Sequence, residues 1–429
     1  MTPVALLGGA LVASAIRYAV AIDNGLGRKP PMGWRSWNLF KDHVNQTLIE
    51  GIMKGMVKRR RVGGVSASLC DLGFCDVGLD DAWQVCISDS VPGHDYHYHN
   101  NEGRSVVNQH RFPDLAGMVE TAHGLGLTAG WYLNNCICSE QKEATRRLYE
   151  QDVHLLADVY KFDAVKLDHC GTQNDLDLWA DLINKTGRRI MIENCHWGET
   201  VPTETWCPWN FFRTSPDIMP TYGNVVANLQ TTVHWARSNL SRPGCWAYPD
   251  MLEVGVEGLS EVESRSHFGA WCIISAPLTL SHDVNDDRVA DAVWPYISNR
   301  EAIAVNQDWA GHSGSPFKAS EDEVHLGTQD WSGKWSDIAV PAWQYFFKPL
   351  AGGDVAVLLM NHSPDEKELV LDTDDVPGLE CHPCWRHDIW SRNDLPEVEG
   401  EFTMKVASHD TVFLRLSPAS LAESRSLFA

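Results

Sequence analysis

Carboxylate and basic side chains stand at short spacings in two stretches of the sequence. Lys166 lies two residues before Asp168, and Arg213 lies four residues before Asp217. If Lys166 and Asp168 share a strand, their side chains point to one face, and the ammonium group favours the ionised carboxylate. Two carboxyl groups, one of them ionised, are what the hydrolysis of a glycosidic bond requires. These pairs are therefore the first candidates for a catalytic centre.

Further carboxylates and aromatic residues extend this set. Asp80, Asp81 and Asp250 each follow a short apolar run, and Trp37 follows another. Carboxylates can bind sugar hydroxyls, and an aromatic ring can cover the apolar face of a sugar. The sequence contains neither a G-x-S-x-G elbow nor an H-E-x-x-H motif. Residue types and positions together favour a hydrolase that acts on sugars.

Eight apolar runs that end in polar residues must position these groups. They cover residues 32–37, 75–81, 127–134, 164–168, 189–194, 209–213, 244–246 and 273–283. Helix-period segments such as 115–124 and 142–159 lie between them. Alternating strands and helices indicate a parallel sheet, and eight units favour a closed (β/α)8 TIM barrel, whose chemistry lies at the carboxyl ends of the strands. A doubly wound fold would need a glycine-rich turn after its first strand, which is missing.

The pattern of apolar and polar residues changes after about residue 315. Residues 355–360, 367–371 and 411–416 form short apolar runs separated by Gly, Pro, Asp and Asn, without a helical period. This pattern is typical of an all-β sandwich. The sequence predicts an α/β protein with a signal peptide at 1–21, a catalytic barrel at 22–312 and an antiparallel β-domain at 313–429.

Several features predict secretion or delivery to a lysosome or vacuole. Val4 to Ile16 is apolar, and Ala19-Val20-Ala21 offers a cleavage site. Twelve cysteines suit an oxidising compartment, and sequons begin at Asn45, Asn184 and Asn239. Cys381 and Cys384 lack a second ligand pair, so no zinc or other metal is expected, and no cofactor either. We interpret His94, His97 and His99 as residues of a surface loop.

The charge balance limits the range of partners. The chain has 57 acidic and 35 basic residues, for a net charge of -22. Such a surface repels nucleic acid and anionic membranes, and the basic cluster Lys58–Arg61 is interpreted as a solvated helix end. A carbohydrate is the expected partner. A homodimer is an open alternative.

Five motifs in order resemble those of glycoside hydrolase family 27, which contains α-galactosidases (melibiases) and α-N-acetylgalactosaminidases. They are Pro31-Met-Gly-Trp34-x-x-Trp37-Asn, Asp80-Asp81-x-Trp83, Lys166-x-Asp168-x-Cys170, Arg213-x-x-x-Asp217 and Pro249-Asp250-Met-Leu. Gly352-Gly-Asp-Val-Ala-Val357 resembles the appended β-domain of that family. The resemblance runs from about residue 28 to the end of the chain.

The resemblance implies a retaining enzyme that removes terminal α-linked galactose. Asp168 would be the nucleophile and Asp217 the general acid/base, whose pKa should rise once the pocket is occupied. Asp80 and Asp81 would bind the outer hydroxyls of the sugar, although one of them could only cap a helix. Further sugar contacts would come from Trp37, Trp83, Tyr132, Lys166, Arg213 and Asp250.

His196 departs from the family pattern. The family has glutamate here when it binds galactose, and serine when it accommodates an N-acetyl group. An imidazole is bulkier than serine and can bind a hydroxyl, so galactose is favoured, unless His196 turns away and Glu193 or Asn194 reads the sugar. An α-N-acetylgalactosaminidase and a β-L-arabinopyranosidase are the alternatives. An inactive sugar-binding barrel is the alternative from another class, but it should have lost Asp168 or Asp217.

The resemblance does not fix all the cysteine pairs. The family's cysteine beside the acidic pair is Ala82 here, and Trp246-Ala-Tyr replaces the residues usual before Pro249. We expect Cys170 to pair with Cys136 or Cys138, and Cys195 to pair with Cys207, because these bonds would join adjacent barrel loops.

Overall fold

The structure is a computed structural model that describes residues 24–62, 64–85, 98–100, 102–137 and 144–418. The predicted signal peptide, Cys86, Cys138, His94 and His97 lie outside these residues. None of the described helices is long and apolar enough to cross a membrane.

The first part of the chain alternates strands and helices. In order, its elements are β1 (Met32–Arg35), α1 (Trp37–Phe40), α2 (Gln46–Val57), β2 (Arg60–Val62), β3 (Val65–Ala67), β4 (Asp76–Gly78), α3 (Leu115–Gly124), β5 (Thr128–Leu133), α4 (Arg146–His154), β6 (Ala164–Asp168), α5 (Leu176–Lys185), β7 (Met191–Cys195), β8 (Phe211–Arg213), α6 (Tyr222–Gln230), α7 (Val233–Arg237), β9 (Trp246–Tyr248), α8 (Glu261–Ile273), β10 (Leu278–Leu280), α9 (Asp287–Ile297) and α10 (Arg300–Gln307). A π-helical turn, Leu155–Val159, continues α4.

Eight of these strands form one parallel sheet in the order β10-β1-β4-β5-β6-β7-β8-β9. Each overlaps one of the eight apolar runs of the sequence, although β9 shares only Trp246 with its run. β2 and β3 form a separate antiparallel hairpin. The predicted TIM-barrel class is therefore confirmed.

Strand register determines which side chains meet at the barrel rim. Tyr132 on β5 is level with Lys166 on β6, and Lys166 is level with Glu193 on β7. Asp168, at the end of β6, is level with Cys195 at the end of β7. Because alternate residues of a strand face the same side, these side chains all face the barrel interior.

Apolar side chains surround this polar interior and hold the helices on the barrel. The fully buried set includes Trp34, Trp83, Trp131, Trp179 and Trp271. Burial of such a side chain stabilises the fold by roughly 1.5–3 kcal/mol or more. The rim residues thus stand on a rigid, well-packed scaffold.

The second part of the chain is made of antiparallel strands. They are β11 (Ser315–Ala319), β12 (Glu323–Gln329), β13 (Trp335–Pro341), β14 (Trp343–Pro349), β15 (Val355–Asn361), β16 (Lys367–Asp372), β17 (Cys384–Asp388), β18 (Asn393–Val398), β19 (Glu401–Val406) and β20 (Thr411–Pro418). Six form a sheet in the order β11-β14-β15-β20-β17-β18, while β12–β13 and β16–β19 are two-stranded. Leu359, Leu369 and Leu414 pack between the layers, as the sandwich prediction requires.

The structure defines the contacts of two polar clusters that the sequence analysis had interpreted as exposed. In the basic cluster, Lys58 and Arg60 both pair with Asp287. The interpretation as a solvated helix end agrees with the exposed Lys58 at the end of α2 and is wrong for Arg60, which is buried on β2. The loop interpretation of His99 is wrong. Its ring is buried, and Nε2 lies 2.9 Å from Oδ2 of Asp152, because the segment folds inward against α4.

Candidate active site

Asp168 is the last residue of β6 and lies at the C-terminal rim of the barrel. Its Oδ2 accepts a hydrogen bond of 2.9 Å from the Tyr132 hydroxyl, and Oδ1 accepts one of 2.8 Å from the backbone N–H of His169. Lys166 Nζ lies 3.9 Å from Oδ2. Burial raises the pKa of Asp168 to about 6, although the positive charge of Lys166 opposes the shift. The carboxylate is thus held in a fixed orientation and is ionised above that pH.

Lys166 links Asp168 to Asp80. Its Nζ donates a hydrogen bond of 2.9 Å to Asp80 Oδ2 and lies 5.0 Å from the centre of the Tyr132 ring. Burial acts to lower the pKa of Lys166, but the surrounding carboxylates, chiefly Asp80, raise it well above its ordinary value. Lys166 is therefore a permanent cation in the pocket.

Asp81 differs from its neighbour Asp80. Its Oδ1 accepts hydrogen bonds from the Ala82 N–H and the Gln84 side chain. Its Oδ2 accepts bonds of 3.0 and 2.9 Å from the N–H groups of Cys136 and Ile137. A carboxylate has about four acceptor positions, so the protein itself fills those of Asp81. This side chain joins two rim loops, and Asp80 is left facing the pocket.

Arg213 holds two carboxylates at the end of β8. Its Nη2 lies 3.0 Å from Asp217 Oδ1 and 3.0 Å from Asp250 Oδ2. Asp250 is buried and also accepts a hydrogen bond from the Ile218 N–H. Its backbone has φ +87°, a conformation that few residues other than Gly, Asn and Asp adopt. The side chain of Asp217 is 43% exposed, so it alone of the two reaches solvent.

The surroundings of Asp217 favour its ionised form. Burial acts to raise its pKa, but Arg213 and Lys166 outweigh that effect and lower it. In contrast, burial raises the pKa of Asp250, against the charge of Arg213. Asp217 is thus ionised near neutral pH.

His196 lies immediately beyond β7. Its Nδ1 is 2.8 Å from the Thr200 hydroxyl, and its ring stacks on that of His169 at 4.3 Å. Nε2 is buried and has no hydrogen-bond partner. Burial, together with the charge of His169, lowers the pKa of His196 to about 4. The imidazole is therefore neutral, with one nitrogen fixed and the other unused.

The two candidate tryptophans have different surroundings. Trp37 is partly buried, and Lys41 Nζ lies 5.8 Å from its ring centre. Trp83 is fully buried, and its Nε1 donates to the Tyr132 carbonyl. Of the two, only Trp37 is partly exposed, whereas the Trp83 ring packs against those of Tyr98 and Trp131.

Arg35 and Glu193 form an ion pair that was not predicted from the sequence. Arg35 Nη2 lies 2.7 Å from Glu193 Oε2, and Nη1 lies 3.7 Å from Asp80 Oδ2. Both side chains are buried, and burial raises the pKa of Glu193 against the opposing charge of Arg35. Strand parity places both in the barrel interior, but only the curvature of the eight-stranded sheet brings β1 opposite β7.

One predicted disulfide is present and another is wrong. Cys136 joins Cys170. Cys207 joins Cys245 instead of Cys195, and Cys195 is a free, buried thiol that accepts a hydrogen bond from Arg213. Cys207 and Cys245 precede β8 and β9, whereas Cys195 ends β7 at the opposite end of the barrel.

Two further disulfides join described cysteines close in sequence, and Cys272 is a second free, buried thiol. Cys70 joins Cys75, and Cys381 joins Cys384. Within the described ranges, one group of possible metal ligands combines Asp168 with Cys136 and Cys170. Because the two sulfur atoms of that group form a disulfide, they cannot act as thiolate ligands.

A parallel barrel with buried and half-exposed carboxylates at its C-terminal rim, joined to an antiparallel β-domain, defines the class of barrel glycoside hydrolases. Comparison with known proteins gives the family. A family model described as alpha galactosidase A matches residues 29–308, and one for the alpha galactosidase C-terminal beta sandwich domain matches 341–416. The chain therefore belongs to glycoside hydrolase family 27, the melibiase-like family, and is an enzyme of that class.

Individual relatives are similar over most of their length. An alpha-galactosidase of Oryza sativa subsp. japonica is 30% identical over 408 residues, which cover 93% of this chain and 87% of the relative. One of Cyamopsis tetragonoloba is 29% identical, covering 93% and 88%. The structure of alpha-galactosidase I from Mortierella vinacea has a TM-score of 0.75 at 24% identity, covering 93% of this chain and 99% of that one. This last likeness is one of fold.

Proposed function

We propose that the protein removes terminal α-linked galactose from glycans or oligosaccharides by double displacement, with Asp168 as nucleophile and Asp217 as general acid/base. The observation that carries the proposal is the contrast between the two carboxyl groups. Asp168 is buried and oriented by Tyr132 and Lys166, whereas Asp217 is half-exposed and held by Arg213. One carboxylate is thus fixed for attack, and the other can exchange protons with water.

The reaction has two steps. In the first, an Asp168 oxygen attacks the anomeric carbon while Asp217 donates a proton to the departing glycosidic oxygen, which leaves a covalent glycosyl-aspartate. In the second, Asp217 takes a proton from water, the water oxygen attacks the same carbon, and Asp168 leaves. Two inversions retain the configuration of the sugar.

The other residues bind the sugar or hold those that do. Asp80 and Lys166 contact the outer hydroxyls, Trp37 and Tyr132 line the ring, and His196 reads the 2-position. Asp250 orients Arg213 for a hydroxyl beside the leaving group. Asp81, whose oxygens are already occupied, holds the rim loops around Asp80.

We also propose that the protein is a secreted glycoprotein delivered outside the cell or to a lysosome or vacuole, cut after residue 21. Asn45, Asn184 and Asn239 are all exposed, as glycan acceptors must be, and four disulfides join described cysteines. The domain boundary is proposed at residues 312 and 313, between the end of α10 and the start of β11.

The experiment is turnover of p-nitrophenyl glycosides by the purified protein. The α-galactoside should have the highest kcat/KM, ahead of the α-N-acetylgalactosaminide and the β-L-arabinopyranoside. A higher kcat/KM for one of the other two glycosides would identify its sugar as the substrate instead of galactose. If none of the three glycosides is cleaved, the inactive sugar-binding alternative is favoured.

A further inference from the structure

We propose that the hairpin of β12 and β13 binds the sugar units that follow the terminal galactose, using Trp331 and Trp335 as stacking surfaces. This proposal rests on the proposed function, because it names the kind of substrate: a glycan chain extending beyond one galactosyl group. The hairpin lies between the two stretches that match family models, 29–308 and 341–416.

The two tryptophans are unusually exposed. Trp331 is 82% and Trp335 is 60% exposed, whereas the other exposed large hydrophobic residues in the described ranges are aliphatic. An indole ring that stays exposed to water does not contribute the large hydrophobic stabilisation that its burial would give. Two such rings on one turn therefore indicate a surface that a ligand covers.

The turn that carries them is well ordered. The Asp330 carboxylate accepts hydrogen bonds from the Ser332 N–H, the Ser332 hydroxyl and the Lys334 N–H. A Cβ at Gly327 would lie 3.3 Å from the Trp335 ring, so the indole packs against bare backbone. The Trp335 ring thus has a fixed support, and Trp331 lies on a turn whose backbone is held by Asp330, which limits the entropy lost when a ligand binds.

Contacts with α6 place the hairpin beside the catalytic rim. The Asn224 side chain donates a hydrogen bond of 3.0 Å to the Gln329 carbonyl and accepts one of 2.8 Å from the Gln329 N–H. Thr221, which caps α6, lies 3.4 Å from the Gly327 carbonyl. A Cβ at Gly223 would lie 2.1 Å from that carbonyl, so helix and hairpin touch through their backbones.

This attachment fixes the distance from the catalytic centre. Helices of the barrel begin at the rim where the active site lies, and Thr221 is only four residues beyond Asp217. Four residues span at most about 14 Å. The Trp335 ring packs on Gly327 of the hairpin, whose carbonyl Thr221 contacts. A few linked sugar rings leaving Asp217 can therefore reach the tryptophans.

The chemistry of the surface favours a glycan over another protein. Polar groups of Asp330, Ser332 and Lys334 surround the rings and can bind hydroxyls while the indoles cover the apolar faces of pyranoses. A stable protein interface buries roughly 800 Å² on each partner. Two separate rings amid charged residues do not supply such an apolar area.

The test compares short and long substrates. Relative to the native protein, Trp331→Ala/Trp335→Ala should leave kcat/KM for p-nitrophenyl α-galactoside unchanged. It should lower kcat/KM for galactomannan oligosaccharides by about tenfold through KM, equivalent to about 1.4 kcal/mol. The corresponding Phe variants, which keep an aromatic face, should recover much of the loss. Val370→Ala, at another exposed apolar residue, is the matched control.

A binding measurement separates this proposal from the proposed function. Electrophoresis of Asp168→Ala through a gel containing galactomannan should show retardation, and adding both tryptophan substitutions should abolish it. Equal retardation with and without the tryptophans would overturn the proposal, as would equal losses on short and long substrates. A change from dimer to monomer in light scattering would instead make the hairpin a contact between copies. If the native protein fails to cleave p-nitrophenyl α-galactoside while the retardation of Asp168→Ala still depends on the tryptophans, the proposed function fails and the hairpin remains a glycan-binding surface.

Discussion

The imidazole rings of His169 and His196 stack with their centroids 4.3 Å apart and their planes 18° from parallel. His169 directly follows Asp168 and donates its backbone N–H to that carboxylate, while its Nδ1 lies 3.1 Å from Glu199. The residue proposed to read the 2-position therefore packs on the segment that carries the proposed nucleophile. Binding of the sugar and orientation of the nucleophile share one support.

His196→Ser should alter substrate preference in opposite directions. It removes one hydrogen-bonding group, worth roughly 0.5–1.5 kcal/mol, so kcat/KM for the α-galactoside should fall about two- to tenfold. The space released should raise kcat/KM for the α-N-acetylgalactosaminide. Thr200→Val, which keeps the imidazole but loses its partner, is the control and should show no such gain. Parallel losses on both substrates would mean that His196 only supports the loop.

Asp168→Ala should abolish turnover without unfolding the protein. The substitution removes the attacking oxygen from a rim position that contributes little apolar packing. Azide should partly restore cleavage of p-nitrophenyl α-galactoside, and NMR of the native reaction should show the α-anomer first. Asp181→Ala, at an exposed aspartate of α5, should retain full activity. More than a few per cent residual activity, or an initial β-anomer, would contradict the assignment.

The pH dependence of kcat/KM should reflect the environment of Asp168. An attacking carboxylate must be ionised, so activity should fall as the pH drops through about 6, where burial raises the pKa of Asp168. Lys166 lowers that pKa, so Lys166→Met should move the acid limb to higher pH, while Lys166→Arg should keep it in place. The profile of kcat/KM reports the free enzyme. An unshifted limb in Lys166→Met would separate Lys166 from the ionisation of Asp168.

Asp250→Ala should destabilise the fold as well as lower activity. It leaves the buried Arg213 with only the half-exposed Asp217, and loss of a buried charge partner costs about 3–5 kcal/mol. Asp250→Asn tolerates the positive φ and can still accept from Ile218 N–H, so its free energy of unfolding should fall less. Urea denaturation measures both variants. Native stability in Asp250→Ala would show that Arg213 does not depend on this partner.

The cysteines provide a test of the fold itself. Non-reducing peptide mapping should find Cys136 joined to Cys170 and Cys207 joined to Cys245. Burial raises the pKa of the Cys195 thiol well above its ordinary value, so iodoacetamide should modify Cys195 only after denaturation. A Cys195–Cys207 peptide, or rapid labelling of Cys195 in the native protein, would be incompatible with the described barrel.

The strands, and the placement of Lys166 and Asp168 on one face, could be predicted because their signals are local. Strands of a parallel barrel are buried on both faces, so each appears as an apolar run that stops at the polar rim. Lys166 and Asp168 share a face because the side-chain period of a strand is two. The order of the five motifs then indicated the family, and the roles proposed for Asp168 and Asp217 follow from that resemblance.

Relations between distant strands had no such local signal. The tertiary structure decided that Arg35 forms an ion pair with Glu193 across the barrel. It also decided that Asp81 accepts hydrogen bonds from loop N–H groups and that Cys207 pairs with Cys245. It also decided that Arg213 lowers the pKa of Asp217 in the empty pocket, because a pKa depends on every charge and dipole near the carboxyl group. Spacing along one strand specifies a face, whereas partners on other strands depend on barrel closure and loop paths, which the sequence encodes only through the whole fold.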